Sequence, residues 1–435
     1  MGTVVSTMFA LLFSALAGGL WIGLALGATG AVMLAIFRDI PLDKLLAQYA
    51  WNILTTQELL ALPMFILMGE ILFQSRLSRS LFQGLAPWAG LLPGRLLHVN
   101  VVGCSIFAAI SGSSAATTQV VGRMALAELL KRGYSKDIAI GSLAGAGTLG
   151  FLIPPSNIMI IYGVLGDVSI LKLFTAGFVP GFLLAGCFMA WVMIHTALRP
   201  SLVPATEVEL RNLTFLDRVR ALKELAPAIF LIAAVLGSMY GGIATPSESA
   251  AVGVFGALIV AALQGGLTRQ TLHDIAIGAV LTCSMIAMIL LGASILGSAA
   301  AFLGIPRAIA DFVASLGLSP FMLIVALIVF YLILGCFLDG FSMIVLTLPI
   351  VMPIVKQAGF DPVWFGIFLV LVVEMAQITP PVGFNLFVIQ GLTGDGLGYI
   401  AKVTLPYLII MILFTLMLAI FPGIVTAPME FILSK

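Results

Sequence analysis

The chain has 435 residues, 61% of them hydrophobic and only 9% charged, with a formal net charge of +1 and a mean hydropathy of +1.19. Soluble globular domains carry about 25% charged residues, so that class is excluded, and so balanced a charge leaves no basic footprint for nucleic acid. The apolar runs are continuous rather than alternating, which argues against a transmembrane barrel and predicts an all-α polytopic membrane protein, because only helices satisfy their own backbone inside lipid.

In chain order, the apolar run from Val4 to Phe37 is too long for one crossing of about 20 residues. It is expected to break at Gly18-Gly19, and its apolar start reads as a retained helix rather than a signal peptide. Thr55 to Phe73 reads as a helix carrying Glu70, placed near the helix end where it would snorkel. A stretch over 85–130 has a small polar centre, Ser111 to Thr118, and is followed by a run over 138–165 interrupted by Gly147, Gly150 and Pro154-Pro155. Leu171 to Ala197 is the next span. Residues 199–224, with five basic and four acidic side chains, form the expected cytoplasmic linker. Beyond it come Leu225 to Tyr240, Ser249 to Leu263 and Ile275 to Phe302, with Glu248 expected to cap a helix start after Pro246. A stretch over 320–355 is centred on Asp339-Gly340, one over 363–390 is interrupted at Thr379-Pro380-Pro381, and Ile400 to Ile420 closes the series.

The halves repeat. A shift of 226 residues places Gly133 on Gly359, Pro154-Pro155 on Pro380-Pro381, Pro180 on Pro406 and Ser113 on Asp339. The division is therefore a first repeat over 1–198 and a second over 225–435, a construction common among secondary transporters. Arg76, Arg79, Arg95, Lys131, Arg132 and Lys136 flank the first polar-centred stretch, whereas only Arg307 and Lys356 flank the second. Because basic residues stay cytoplasmic, the two copies are expected to lie in inverted orientation.

The first polar centre, small and uncharged unlike its basic flanks, suits a re-entrant helical hairpin whose tip reaches mid-membrane, and the shorter stretch over 320–355 fits re-entry more clearly. The Pro-Pro segments suit broken helices, since proline removes a donor and clashes with the preceding turn. Freed peptide groups at that depth are costly unless bonded. Either element alone is equally consistent with close helix packing or a kink. The recurrence of both, 41 residues apart in each half (Ser113 to Pro154, Asp339 to Pro380), favours two cation sites flanking one substrate site. Helix C-terminal ends attract cations and N-terminal ends anions. For Glu374, structural pairing and cation coupling both remain open. No GxSxG, HExxH, phosphate-loop or CxxC pattern occurs, so an enzyme and a cofactor protein are not expected.

The segments LPMFILMGEIL (Leu62 to Leu72), FAAISGSSAAT (Phe107 to Thr117), KRGYS (Lys131 to Ser135), LIPPS (Leu152 to Ser156), SILKLFTAGFVPG (Ser169 to Gly181), ATPSESAAVG (Ala244 to Gly253) and GFDPVWFGI with ITPPVGFNLFV (Gly359 to Val388) resemble the DctM-like large membrane subunit of tripartite ATP-independent periplasmic (TRAP) transporters. The resemblance implies an elevator-type, sodium-coupled importer of small organic acids, such as C4-dicarboxylates or sialic acid. It also implies a small four-helix DctQ-like membrane subunit and a periplasmic DctP-like binding protein as partners, in a lipid bilayer. It places one sodium site at Ser111, Gly112, Ser113 and Ser114 with Thr148, Gly150 and Pro154, and the other at Asp339 and Gly340 with Glu374, Thr379, Pro380 and Gly383. Candidate substrate contacts are Ser114, Thr117, Ser156, Asn157, Ser342 and Asn385, with Arg123 the nearest arginine to a tip. The chain departs from the family pattern at Gly150-Phe151-Leu152 and at Ala376. A passive channel and a stand-alone carrier without a binding protein are the alternatives.

Overall fold

A computed structural model describes residues 2–38, 42–75, 77–204, 214–265, 267–381 and 383–433. Arg76, the linker residues 205–213 and Val382 of the second interruption lie outside the described residues.

Among the described residues the fold is helical without a strand. The first apolar run divides into α1 (Gly2–Ala17) and α2 (Ile22–Phe37), and the break falls at the two glycines, where Gly19 takes a left-handed φ of +79°. Then come α3 (Leu42–Leu54), α4 (Ala61–Gln74) and α5 (Leu77–Ala89). The first hairpin is α6 (Leu97–Ser111) and α7 (Ser114–Lys131). Its first arm thus begins at Leu97, not at residue 85, because the turn through Gly90, Pro93 and Gly94 separates α5 from a new helix. Arg95 sits in that turn with a φ of +46° and donates to the Pro204 carbonyl at 2.8 Å.

The first broken helix is α8 (Lys136–Gly147), a tight turn over 148–150, an irregular stretch through Pro154-Pro155 and α9 (Asn157–Gly166). The long α10 (Ile170–Leu198) follows, with Pro180 inside it. After the linker come α11 (Phe215–Ala221), α12 (Ala226–Tyr240), α13 (Pro246–Leu263), α14 (Arg269–Phe302) and α15 (Ile305–Ser315). A second hairpin, α16 (Pro320–Gly335) and α17 (Gly340–Gln357), leads to a second broken helix, α18 (Pro362–Gln377) and α19 (Phe384–Thr393). The chain ends on α20 (Leu397–Ile420), with Pro406 inside it, and α21 (Gly423–Leu433). Each half therefore holds the same succession of helical hairpin, interrupted helix and long proline-containing helix.

Among the described residues, six helical segments are long and apolar enough to cross a bilayer: one over Gln57–Gln74 that includes α4, and α10, α13, α14, α17 and α20. Large apolar side chains such as Phe230, Phe255, Leu263 and Leu281 point outward, as lipid-facing helices require. Small residues let α2 and α14 touch backbone to backbone, since a Cβ on Gly292 would fall 2.0 Å from the Gly23 carbonyl oxygen. That is the close approach by which membrane helices gain packing energy without a hydrophobic drive.

Candidate functional site

The tip of the first hairpin is a three-residue reversal, Ser111-Gly112-Ser113. Gly112 ends α6 with a φ of +58°, the left-handed cap that glycine adopts at little cost. Ser113 then caps α7, its hydroxyl accepting from the Ala116 N–H at 3.4 Å. The Ser111 and Thr117 hydroxyls lie 3.0 Å apart across the tip.

This tip is stitched to the first break by the main chain. Asn157 N–H donates to the Gly112 carbonyl at 3.2 Å. A Cβ on Gly112 would sit 2.8 Å from the Pro155 oxygen, and one on Gly150 only 2.4 Å from the Ser114 Cα. Glycine is required at both positions by contact with backbone that cannot yield.

The second broken helix also reaches this place. Glu374, on α18, accepts from Phe151 N–H at 2.7 Å through Oε1, and its Oε2 lies 2.8 Å from the Ser114 hydroxyl. The same hydroxyl is 2.9 Å from the Gly147 carbonyl and receives a hydrogen bond from Asn385 Nδ2 at 2.8 Å. Glu374, Ser114 and Asn385 are fully buried. In a continuous helix Phe151 N–H would donate to the Gly147 carbonyl four residues back. Here a carboxyl takes the donor and a hydroxyl takes the acceptor.

The second tip is built differently. Asp339 caps α17, its Oδ2 accepting from Phe341 N–H at 3.1 Å and Ser342 N–H at 3.4 Å, and its Oδ1 accepts from the Ser342 hydroxyl. Gly340 lies against Val373 and Gln377 near the end of α18. Cys336 Sγ lies 3.3 Å from the Pro380 oxygen, and Gly383 N–H donates to the Thr379 carbonyl at 3.1 Å. Pro380 and Pro381 are exposed, whereas Pro154, Pro155 and Ser156 are buried. The two interruptions are thus at different depths in the protein.

A cavity of about 260 Å³ opens beside the first tip, lined by Ser111, Ser113, Gln119, Asn157, Phe341 and Glu70 among others. Phe341 from the second tip meets Phe151 of the first break edge to face at 5.6 Å, so both tips border the same region. Asn157 Oδ1 is a buried acceptor without a hydrogen-bond partner, and it lies near Gly112. The N-terminal ends of α7 and α9 meet here, a favourable place for a carboxylate. Among the described residues, no three His, Cys, Asp or Glu side chains cluster as a transition-metal site.

Several expected side chains face elsewhere. The Thr148 hydroxyl bonds the Gly145 carbonyl at 2.6 Å and faces Met411, and the Thr379 hydroxyl bonds Met375 at 2.7 Å. Ser156 accepts from Met159 N–H at 3.3 Å as the cap of α9. Arg123 is exposed, its guanidinium 5.3 Å from the centre of the Phe73 ring, and Phe73 in turn lines the cavity. Glu70, expected to snorkel, instead lines the cavity and packs over Gly278 of α14. Gln119, Phe341 and Phe73 were not anticipated. Gln119 immediately follows the polar run, at helical spacing from Ala115 and Ala116, the one sequence signal that points to it.

A family profile described as "Tripartite ATP-independent periplasmic transporter, DctM component" matches residues 9–424. The chain is 33% identical over 405 residues to the C4-dicarboxylate TRAP transporter large permease protein DctM of Pseudomonas aeruginosa, covering 92% of each. It is 34% identical over 404 residues to the isethionate TRAP transporter permease protein DctMQ of Oleidesulfovibrio alaskensis, covering 93% of this chain and 62% of that one. A solved structure of the YdaH transporter of Alcanivorax borkumensis superposes with a TM-score of 0.58 at 16% identity, over 93% of this chain and 97% of that one, a likeness of fold alone. With its helical membrane spans and these relatives, the chain is a multi-pass protein of the bacterial inner membrane and a transporter component, not an enzyme. It belongs to the DctM family, the large permease components of tripartite ATP-independent periplasmic transporters.

Proposed function

We propose that the chain imports a small organic acid, coupled to sodium, by moving its hairpins and broken helices against the remaining helices as an elevator. The observation that carries this reading is the first break: interrupted main chain, hydroxyls and a helix tip converge beside the cavity. Oxygen-rich, weakly charged surroundings suit an alkali cation rather than a transition metal. In this reading Ser111, Gly112, Ser113 and the turn through Gly150 and Pro154 hold one ion. Asp339, Gly340 and the turn through Thr379, Pro380 and Gly383 hold the other. The substrate lies between them, near Asn157 and Ser342, and Arg123 stands at the rim. The hairpins are re-entrant, and the repeats over 1–198 and 225–435 are inverted about the cytoplasmic linker over 199–224.

The partners are a small DctQ-like subunit and a periplasmic DctP-like binding protein, in keeping with the family. Relatives are named for C4-dicarboxylate and isethionate, both small anions that suit a cavity of about 260 Å³. The test is uptake into proteoliposomes holding the chain and its small subunit, with binding protein outside and a panel of C4-dicarboxylates and sulfonates. Saturable uptake that needs inward sodium and the binding protein is expected. Uptake by the chain alone would favour a stand-alone carrier, and conductance without sodium dependence would favour a channel.

A further inference from the structure

We propose that Glu374 is a positioning residue that mends the first break and ties the first cation site to the second broken helix, acting through hydrogen bonds rather than as a charged ligand. The inference rests on the sodium-coupled reading and assigns how its two halves communicate.

The geometry forms a closed chain. Phe151 N–H and the Gly147 carbonyl, which an unbroken helix would join to each other, are joined here through Glu374 Oε1, Glu374 Oε2 and Ser114 Oγ at 2.7, 2.8 and 2.9 Å. The bridge replaces one main-chain bond with a carboxyl and a hydroxyl. Both side chains come from other elements, Ser114 from the first hairpin and Glu374 from α18. Asn385, on α19, closes onto the same hydroxyl at 2.8 Å. Glu374 and Asn385 thus lie on either side of the second interruption, and both hold the first tip. A shift of α18 relative to α19 must pull on Ser114 and on the turn at Gly150, whose backbone is packed against Ser114 without room for a methyl group.

Hydrogen-bond capacity separates this role from direct ligation. The Ser114 hydroxyl has one hydrogen and faces two acceptors, the Gly147 carbonyl and Glu374 Oε2. A carboxamide at position 374 keeps the acceptor for Phe151 N–H and adds a donor toward Ser114. Glutamine therefore fits the bridge, whereas a cation ligand that works by its negative charge would be lost in the same substitution. Among the described residues no lysine, arginine or histidine pairs with Glu374, so no counter-charge is stranded by the change.

The experiment titrates sodium, with potassium as control, against the purified full-length chain and follows the thermal midpoint. Wild type is expected to respond to sodium. Glu374→Gln should keep the half-saturating concentration within about threefold, while Glu374→Ala should raise it about tenfold or more. Asn385→Ala, which severs the second tether and leaves Phe151 bonded, should also raise it. Combining Ser114→Ala with Glu374→Ala should add little beyond either alone, because both cut one chain. Loss of the sodium response in Glu374→Gln would overturn the proposal in favour of a charged ligand. An unchanged half-saturation in both Glu374→Ala and Asn385→Ala would overturn it in favour of a packing role. If Glu374→Ala does not fold, the glutamine and Asn385 variants decide between the same outcomes. A wild-type chain indifferent to sodium would instead refute the underlying reading.

Discussion

Gly150 shows how much a single residue constrains the site. Alanine there would put a methyl carbon 2.4 Å from the Ser114 Cα, and backbone atoms cannot move aside as a flexible side chain would. Overpacking of this kind costs about 1–3 kcal/mol. Gly150→Ala is therefore expected to lower the thermal midpoint and to weaken the sodium response together, whereas the exposed Gly391, with open space around its Cα, should tolerate the same change. At the tips, Ser113→Ala and Asp339→Ala should each weaken sodium half-saturation about tenfold, ~1.4 kcal/mol. Each variant also loses a helix cap, so both thermal midpoints should fall in potassium as well. The serine run and the aspartate were legible in the sequence because polar residues stand out in an apolar stretch. The junction of Ser114 with Glu374 was not, since nothing in either segment encodes a partner 260 residues away. Thr148 and Thr379 illustrate the converse: hydroxyls in the right segments turn back to carbonyls of their own helices, a local competition that spacing alone does not resolve.

At the scale of elements, capping and pinning decide where helices begin and how the broken ones are held. Thr245 and Glu248 form a reciprocal capping box at the start of α13, which Pro246 followed by a glutamate made readable. Thr245→Ala should cost about 1 kcal/mol, measured as a lower thermal midpoint with sodium half-saturation unchanged. The start of α8 is pinned to the loop after α19 by Lys136 and Asp395 at 2.7 Å, reinforced by Tyr399 on Asp137. The Lys136 hydrogen bond holds the Asp395 carboxyl below the usual carboxylate range. The sign follows: the contribution is fully present above the unfolded-state pKa and is lost as the pH falls through the lower folded value. Asp395→Asn should flatten the acid limb of the pH–stability profile, by little, because the pair is partly exposed. The hairpins, both breaks and the long helices were all visible as apolar runs with polar or proline interruptions. The helices α3, α5, α15 and α21 were not, being 11–13 residues long and shorter than the runs that mark a crossing. The merging of α5 with the first hairpin has the same origin, since an apolar turn rich in leucine, glycine and proline does not register as a break in a hydropathy reading.

For the whole molecule, the proposal is that the tightly packed helices around α2 and α14 stay fixed while the hairpins move. A largely apolar cavity of about 450 Å³ lies between α1 and α14 on one side and α16 and α17 on the other, with Leu12 and Ile350 among its walls. Joining Leu12→Cys to Ile350→Cys with a short bifunctional reagent, in a chain lacking its native cysteines, should arrest uptake yet leave the sodium-dependent rise in thermal midpoint intact. Uptake unaffected by a completed cross-link would argue against relative movement there. The central claim is that the unwound segments exist to hold sodium, and the thermal midpoint of the purified chain in sodium against equimolar potassium tests it most directly. Sodium at about 100 times its dissociation constant should add ~2.7 kcal/mol per independent site, a clear upward shift that is diminished in Ser113→Ala and in Asp339→Ala. Identical midpoints in the two salts, in wild type as in both variants, would contradict the claim.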